Sequence, residues 1–154
     1  MVGGMQGRKK VALITGIMGQ DGFYLAKILS SKKFSVYGTS RYKRSKLKLD
    51  NGTSIKIIKT NYSKKSLGII LEELKPDILY NLTGQSYVSR SWELLDQTLI
   101  SQGILVSNIL SASEKVCPKI KILNMTSAEI FDHSKKQPFL SLIHISEPTR
   151  QEAI

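Results

Sequence analysis

The stretch Lys10-Val11-Ala12-Leu13-Ile14-Thr15-Gly16-Ile17-Met18-Gly19-Gln20-Asp21-Gly22 decides the fold. Its first half is a short, nearly continuous apolar run, the pattern of a strand covered on both faces. Its second half spaces three glycines as G-x-x-G-x-x-G and opens residues 21–31, where Leu25, Ile28 and Leu29 stand at helical spacing. Strand, glycine turn and helix in that order suit a phosphate cradle. Gly16 permits a tight turn, Gly19 lets the backbone approach a pyrophosphate, and Gly22 allows helix to pack closely on strand. The helix N-terminus adds unpaired N–H groups. This context favours dinucleotide binding over a glycine-rich turn without a ligand.

Outward from that stretch, apolar runs alternate with segments of helical period, the βαβ pattern of a parallel sheet. Residues 34–38 read as a second strand, residues 40–53 as a polar, basic, exposed connection, and residues 55–58 as a third strand. Leu67, Ile70, Leu71 and Leu74 mark one face of a second helix, which Pro76 ends. Residues 77–82 supply a fourth strand. Residues 92–115 favour helix, with Leu99, Ile100, Ile104, Val106, Ile109 and Leu110 as the expected buried face, and residues 119–125 supply a fifth strand. The expected fold class is α/β, a right-handed doubly wound parallel sheet of Rossmann type with about five strands.

The 154 residues, 41% of them hydrophobic, suffice for one ordinary core. One cysteine, Cys117, forms no intramolecular disulfide and no cysteine-cluster zinc site, so no metal is expected and a reducing, cytoplasmic setting fits. No run approaches the roughly 20 apolar residues of a membrane span. A net charge of +11 admits an anionic partner without choosing one. After the second strand, Gly38-Thr39-Ser40-Arg41-Tyr42-Lys43-Arg44 offers no acid for an adenosine ribose 2′-hydroxyl. NADP is therefore the expected cofactor, with Arg41 as its leading 2′-phosphate contact, Lys43 or Arg44 as helpers, and solvated loop charges as the alternative.

With these residues in place, the chain resembles the extended short-chain dehydrogenase/reductases, and more closely the GDP-mannose 4,6-dehydratases. The resemblance rests on residues 14–25 with their Gly19-Gln20-Asp21-Gly22 core, on Gly38-Thr39-Ser40-Arg41, on residues 80–88, and on Thr126-Ser127-Ala128-Glu129-Ile130-Phe131. It implies cofactor contacts along Gly16, Ile17, Gly19, Gln20, Asp21 and Gly22, and along Leu82, Thr83, Gly84, Gln85 and Ser86. It sets Asn61 and Tyr62 near the adenine, where the family usually has Asp-Leu, and Gln97 where relatives often carry a cofactor-contacting tyrosine. It implies that Glu129 is the catalytic acid/base and that Ser127 hydrogen-bonds the reacting oxygen. Ala128 and Asp132 depart from the family's serine and glycine. The implied activity converts GDP-mannose to GDP-4-keto-6-deoxymannose in a homo-oligomeric parent, with no nucleic acid or membrane partner.

The family's Tyr-x-x-x-Lys pair follows the fifth strand, whereas the tyrosines here, Tyr24, Tyr37, Tyr42, Tyr62, Tyr80 and Tyr87, all precede it. Residues 1–139 are accordingly expected to be an incomplete NADP-binding domain, inactive by itself. Leu140-Ser141-Leu142-Ile143-His144-Ile145-Ser146-Glu147-Pro148-Thr149-Arg150 resembles the translation of a sequencing-library adapter, so residues 140–154 are expected to be a non-native tail. Three alternatives stay open. One is another sugar-nucleotide epimerase, dehydratase or reductase; another is a non-catalytic cofactor-binding relative. The third is a basic nucleic-acid module, since residues 41–65 carry nine Lys and Arg against Asp50 alone.

Overall fold

The structure is a computed structural model that describes residues 8–42, 46–84 and 99–126. The first strand, β1 (Val11–Thr15), leads through the glycine turn into α1 (Gln20–Ser31). There follow β2 (Ser35–Ser40), β3 (Lys46–Lys48), β4 (Ser54–Lys59), α2 (Lys64–Leu74), β5 (Ile78–Asn81), α3 (Leu105–Val116) and β6 (Lys121–Asn124). A π-helical turn, Ile100–Ile104, runs directly into α3. The sheet order is β3-β4-β2-β1-β5-β6, all neighbours parallel except β3 with β4. With the antiparallel β3 set aside, the five parallel strands stand in the doubly wound order 3-2-1-4-5.

Alternation along β1 divides the core. Leu13 points to the side of α2 and α3, where it packs with Leu67, Leu71, Leu79, Leu105 and Ile109. Ala12 and Ile14 point to the other side, against Ala26 and Leu29 of α1 and Ile55 and Ile57 of β4. Side chains two apart share a face, so one strand serves both layers.

Two expectations from sequence are corrected. Within the supposed exposed connection lies β3, paired Leu47 to Ile55, and it brings Leu49 into the core at 4% exposure. The buried face of the third helix is Leu105, Ile109 and Ala112, whereas Leu99, Ile100, Ile104 and Leu110 are each at least half exposed. Leu105, Ile109 and Ala112 recur at i, i+4 and i+7 on one face, and at 3.6 residues per turn Ile104 and Leu110 stand roughly 100–140° round the helix from Leu105. The part of the expected helix from 92 to 98 lies outside the described residues.

At the amino edge of the sheet, the Asp77 carboxylate accepts the Val11 N–H at 2.7 Å and the Arg8 guanidinium at 2.8 Å. The Val11 hydrogen bond, helped by Arg8, holds its pKa below the ordinary carboxylate range. The unfolded chain thus binds this proton more readily. The stabilisation from Asp77 is present above its unfolded pKa and is lost as pH falls through the folded one. Asp77→Asn is expected to lower stability near neutral pH and to flatten its decline between about pH 5 and pH 2, as read from urea unfolding at each pH.

Candidate nucleotide-binding site

The order of the parallel strands reverses between β1 and β5, and their carboxyl ends part there. The glycine turn stands at that point. Gly16 has φ +74°, and a Cβ on it would lie 2.8 Å from both the carbonyl carbon and the oxygen of Leu82, where the chain leaves β5. A Cβ on Gly22 would lie 2.6 Å from the Gly16 oxygen and from the Ile17 Cα, so α1 sits directly against the turn. Gly19 differs: its added Cβ would meet only the Gly16 oxygen, at 3.4 Å, which leaves its outer side open. It caps α1 without any side-chain hydrogen bond. Ile17 is fully buried, its side chain lying where a Cβ on Gly38 of β2 would stand. Only its backbone can therefore reach a ligand. Gln20 and Asp21 are exposed in the first turn of α1.

In front of the turn is a cavity of about 410 Å³ lined by Gly16, Gly19, Arg41, Asn61, Tyr62, Leu82, Thr83 and Gly84. The fold thus brings together residues from four separate stretches of chain. Gln85, Ser86, Gln97, Ser127 and Glu129 lie outside the described residues, as do Lys43, Arg44, Ala128, Asp132 and the segment from 140 to 154. The cavity also takes Ser63, Ile100, Ser101, Ile104, Leu105 and Asn108, which sequence reading missed. Asn108, a polar residue inside an apolar helix, was the available signal. Its amide donates to the Tyr62 carbonyl at 3.1 Å and pins the far wall. Tyr-x-x-x-Lys spacing does occur once, at Tyr42 and Lys46, but Tyr42 is 73% exposed and Lys46 opens an edge strand, so the two share no helix.

Tyr62 departs most from expectation. At φ 59° and 7% exposure it turns its ring into the core, and its hydroxyl shares a 3.0 Å hydrogen bond with Thr39 of β2. Burial raises its pKa, opposed by Thr39, by the Gly16 backbone and by the charge of Arg41. Its phenol therefore stays neutral and joins β2 to the glycine turn. Asn61 folds its side-chain oxygen onto the Ser63 N–H at 3.0 Å. Beneath them, buried Asn81 accepts the Thr15 hydroxyl at 2.5 Å and both the N–H and the hydroxyl of Thr83, while its amide donates to Asn124 at 2.6 Å.

A topological switch point with a glycine turn seated at it defines a Rossmann-type domain. Solved structures share that fold: the epimerase Mth375 of Methanothermobacter thermautotrophicus has TM-score 0.71 and 19% identity, covering 87% of this chain and 40% of that one. UDP-glucose 4-epimerase from Brucella ovis in complex with NAD has TM-score 0.66 and 15% identity, covering 77% and 36%. The family described as GDP-mannose 4,6 dehydratase matches residues 13–147. GDP-mannose 4,6 dehydratase of Cricetulus griseus is 31% identical over 150 residues, covering 84% of this chain and 39% of that protein. The chain belongs to the GDP-mannose 4,6-dehydratase family and spans about two fifths of that relative.

The glycines are not equivalent in this geometry. Gly16→Ala forces a Cβ into backbone at a positive φ and is expected to destabilise the chain by roughly 1–3 kcal/mol. Gly19→Ala meets open space and is expected to leave stability within about 0.5 kcal/mol. Urea unfolding of the two variants distinguishes a structural glycine from one kept small for a ligand.

Proposed function

We propose that this chain is the cofactor-binding part of a lyase that converts GDP-mannose to GDP-4-keto-6-deoxymannose, with NADP as its resident cofactor. Family membership supports the reaction. The observation that carries the cofactor reading is one cavity holding both the open glycine turn and Arg41, with no carboxylate among its described lining residues. The residues present fit such a group. Gly19 leaves room for a pyrophosphate, α1 turns an uncapped N-terminus toward it, and Arg41 presents a planar cation for a 2′-phosphate. A structural relative in complex with NAD agrees with a nicotinamide nucleotide, and the missing ribose-binding acid after β2 favours the phosphorylated form.

Held by the glycine turn and Arg41, NADP would supply reversible hydride transfer to and from the hexose. Ser127 would hydrogen-bond the C4 oxygen. Glu129 would remove the C5 proton, made acidic by the adjacent carbonyl, and would protonate the C6 hydroxyl as it leaves as water. Ser127 and Glu129 follow β6, and β6 leads to the carboxyl edge of the sheet, where the cavity lies. The working enzyme is proposed to be cytoplasmic and homo-oligomeric. No helix among the described residues is long and apolar enough to cross a membrane.

Two measurements test this. The chain should bind NADPH at least about tenfold more tightly than NADH by fluorescence titration, and Arg41→Ala should narrow that preference; equal affinities in the unaltered chain would overturn the NADP assignment. In a protein carrying the downstream sequence, Glu129→Gln should lower kcat for GDP-mannose dehydration about 10²- to 10⁴-fold while leaving NADPH affinity unchanged. Undiminished turnover would remove Glu129 from its role.

A further inference from the structure

A second cavity, of about 590 Å³, adjoins the first and shares Arg41, Asn61 and Ser63 with it. Lys59, the last residue of β4, and Lys65, in the first turn of α2, bring its cationic side chains to three, and no carboxylate lines it among the described residues. The nearest acids on α2, Glu72 and Glu73, lie seven and eight positions beyond Lys65, roughly 10 Å along the helix. Asp50 is engaged by Lys27, and Asp77 by Arg8 at the opposite edge of the sheet. Three like charges around one hollow repel each other and weaken the fold unless an anion enters. Among the lining hydroxyls, Ser63 accepts the Ser66 N–H and Ser66 pairs with Thr60. The charge that the cavity offers a ligand is that of the three cations.

We infer that Lys59 and Lys65 extend the adenosine end of the pocket into a cationic annex that takes the 2′-phosphate of NADP jointly with Arg41. The inference rests on the NADP reading and assigns its selectivity to two residues outside the loop after β2. A phosphomonoester carries about −1.5 to −2 charges at neutral pH, more than one guanidinium neutralises. Arg41 stands on the boundary of the two cavities and can offer its planar fork, while two lysine ammonium groups act as point charges from the far wall. The 2′-phosphate is the group that distinguishes NADP from NAD. An annex of this charge thus discriminates between the two without touching the shared adenosine and pyrophosphate.

The test titrates the chain with 2′,5′-ADP and with 5′-ADP by calorimetry. The unaltered chain is expected to prefer 2′,5′-ADP. Lys59→Ala/Lys65→Ala should weaken 2′,5′-ADP about tenfold and leave 5′-ADP within about twofold, which also reports that the variant is folded. Lys59→Arg/Lys65→Arg, which keeps the charges, should retain the preference. If the alanine pair keeps the full preference, the annex is overturned while Arg41 and the NADP reading stand. An equal loss for both nucleotides overturns it too, since the lysines then act as a general field. If the unaltered chain shows no preference, or binds neither nucleotide, the NADP reading falls and the annex falls with it.

Discussion

The approach of the glycine turn to the exit of β5 is the constraint on which the rest of the structure depends. Gly16 sits so close to the Leu82 carbonyl that no side chain fits between them, and its positive φ reverses the chain in that space. The reversal starts α1 directly over the end of β1. Gly22 then lets the helix lie on the turn, and Gly38 opens the hole in β2 that Ile17 fills. Three absent side chains thus do what hydrogen bonds alone would not: they place a helix N-terminus and a short loop at a sheet edge with no atoms to spare. Gly19 stands outside this packing. Its small size relieves no clash with the protein, and its outer side stays open.

A second constraint keeps the sheet's carboxyl edge in register. Buried Asn81 joins Thr15 of β1, Asn124 of β6 and Thr83 of the following loop through one side chain. Each of these polar groups would otherwise lie unpaired at a partly dry edge, at a cost of about 1–3 kcal/mol apiece. The network therefore fixes relative strand positions as well as adding stability. On the other side of the turn the Tyr62–Thr39 bond ties the β4–α2 connection to β2. The cavity floor is held at both ends by uncharged groups, leaving charge to the residues that face solvent.

The parts legible in the sequence are those whose signals are local. An apolar run, glycines three apart and a helical stripe announce β1, the turn and α1 without knowledge of any partner. The antiparallel β3 was not legible, because Lys46-Leu47-Lys48 is three residues long and becomes a strand only where Leu47 meets Ile55 across the pair. The buried side of α3 was equally hidden, because apolar residues stand on more than one side of it and only the packing selects Leu105, Ile109 and Ala112 for the core. Ile100 and Ile104 line the cavity instead. Tyr62 could be read as bulkier than the family's leucine, yet not as a buried link to Thr39, since that follows from a left-handed backbone no residue other than glycine advertises.

The distribution of charge follows from the same topology. A doubly wound sheet sends helix N-termini to its carboxyl edge and C-termini to its amino edge, so the two edges differ electrostatically before any side chain is added. Lys75, Lys119 and Lys121 collect at the amino edge, beside the carbonyl ends of α2 and α3, where cations offset the helix dipoles. At the carboxyl edge, cations add to the positive ends of helices, and the local fold gains nothing from them. Arg41, Lys59 and Lys65 stand there without a carboxylate beside them among the described lining residues. Cations at the amino edge are explained by the fold; those at the carboxyl edge have no such explanation, and the proposed phosphate would supply their counter-charge.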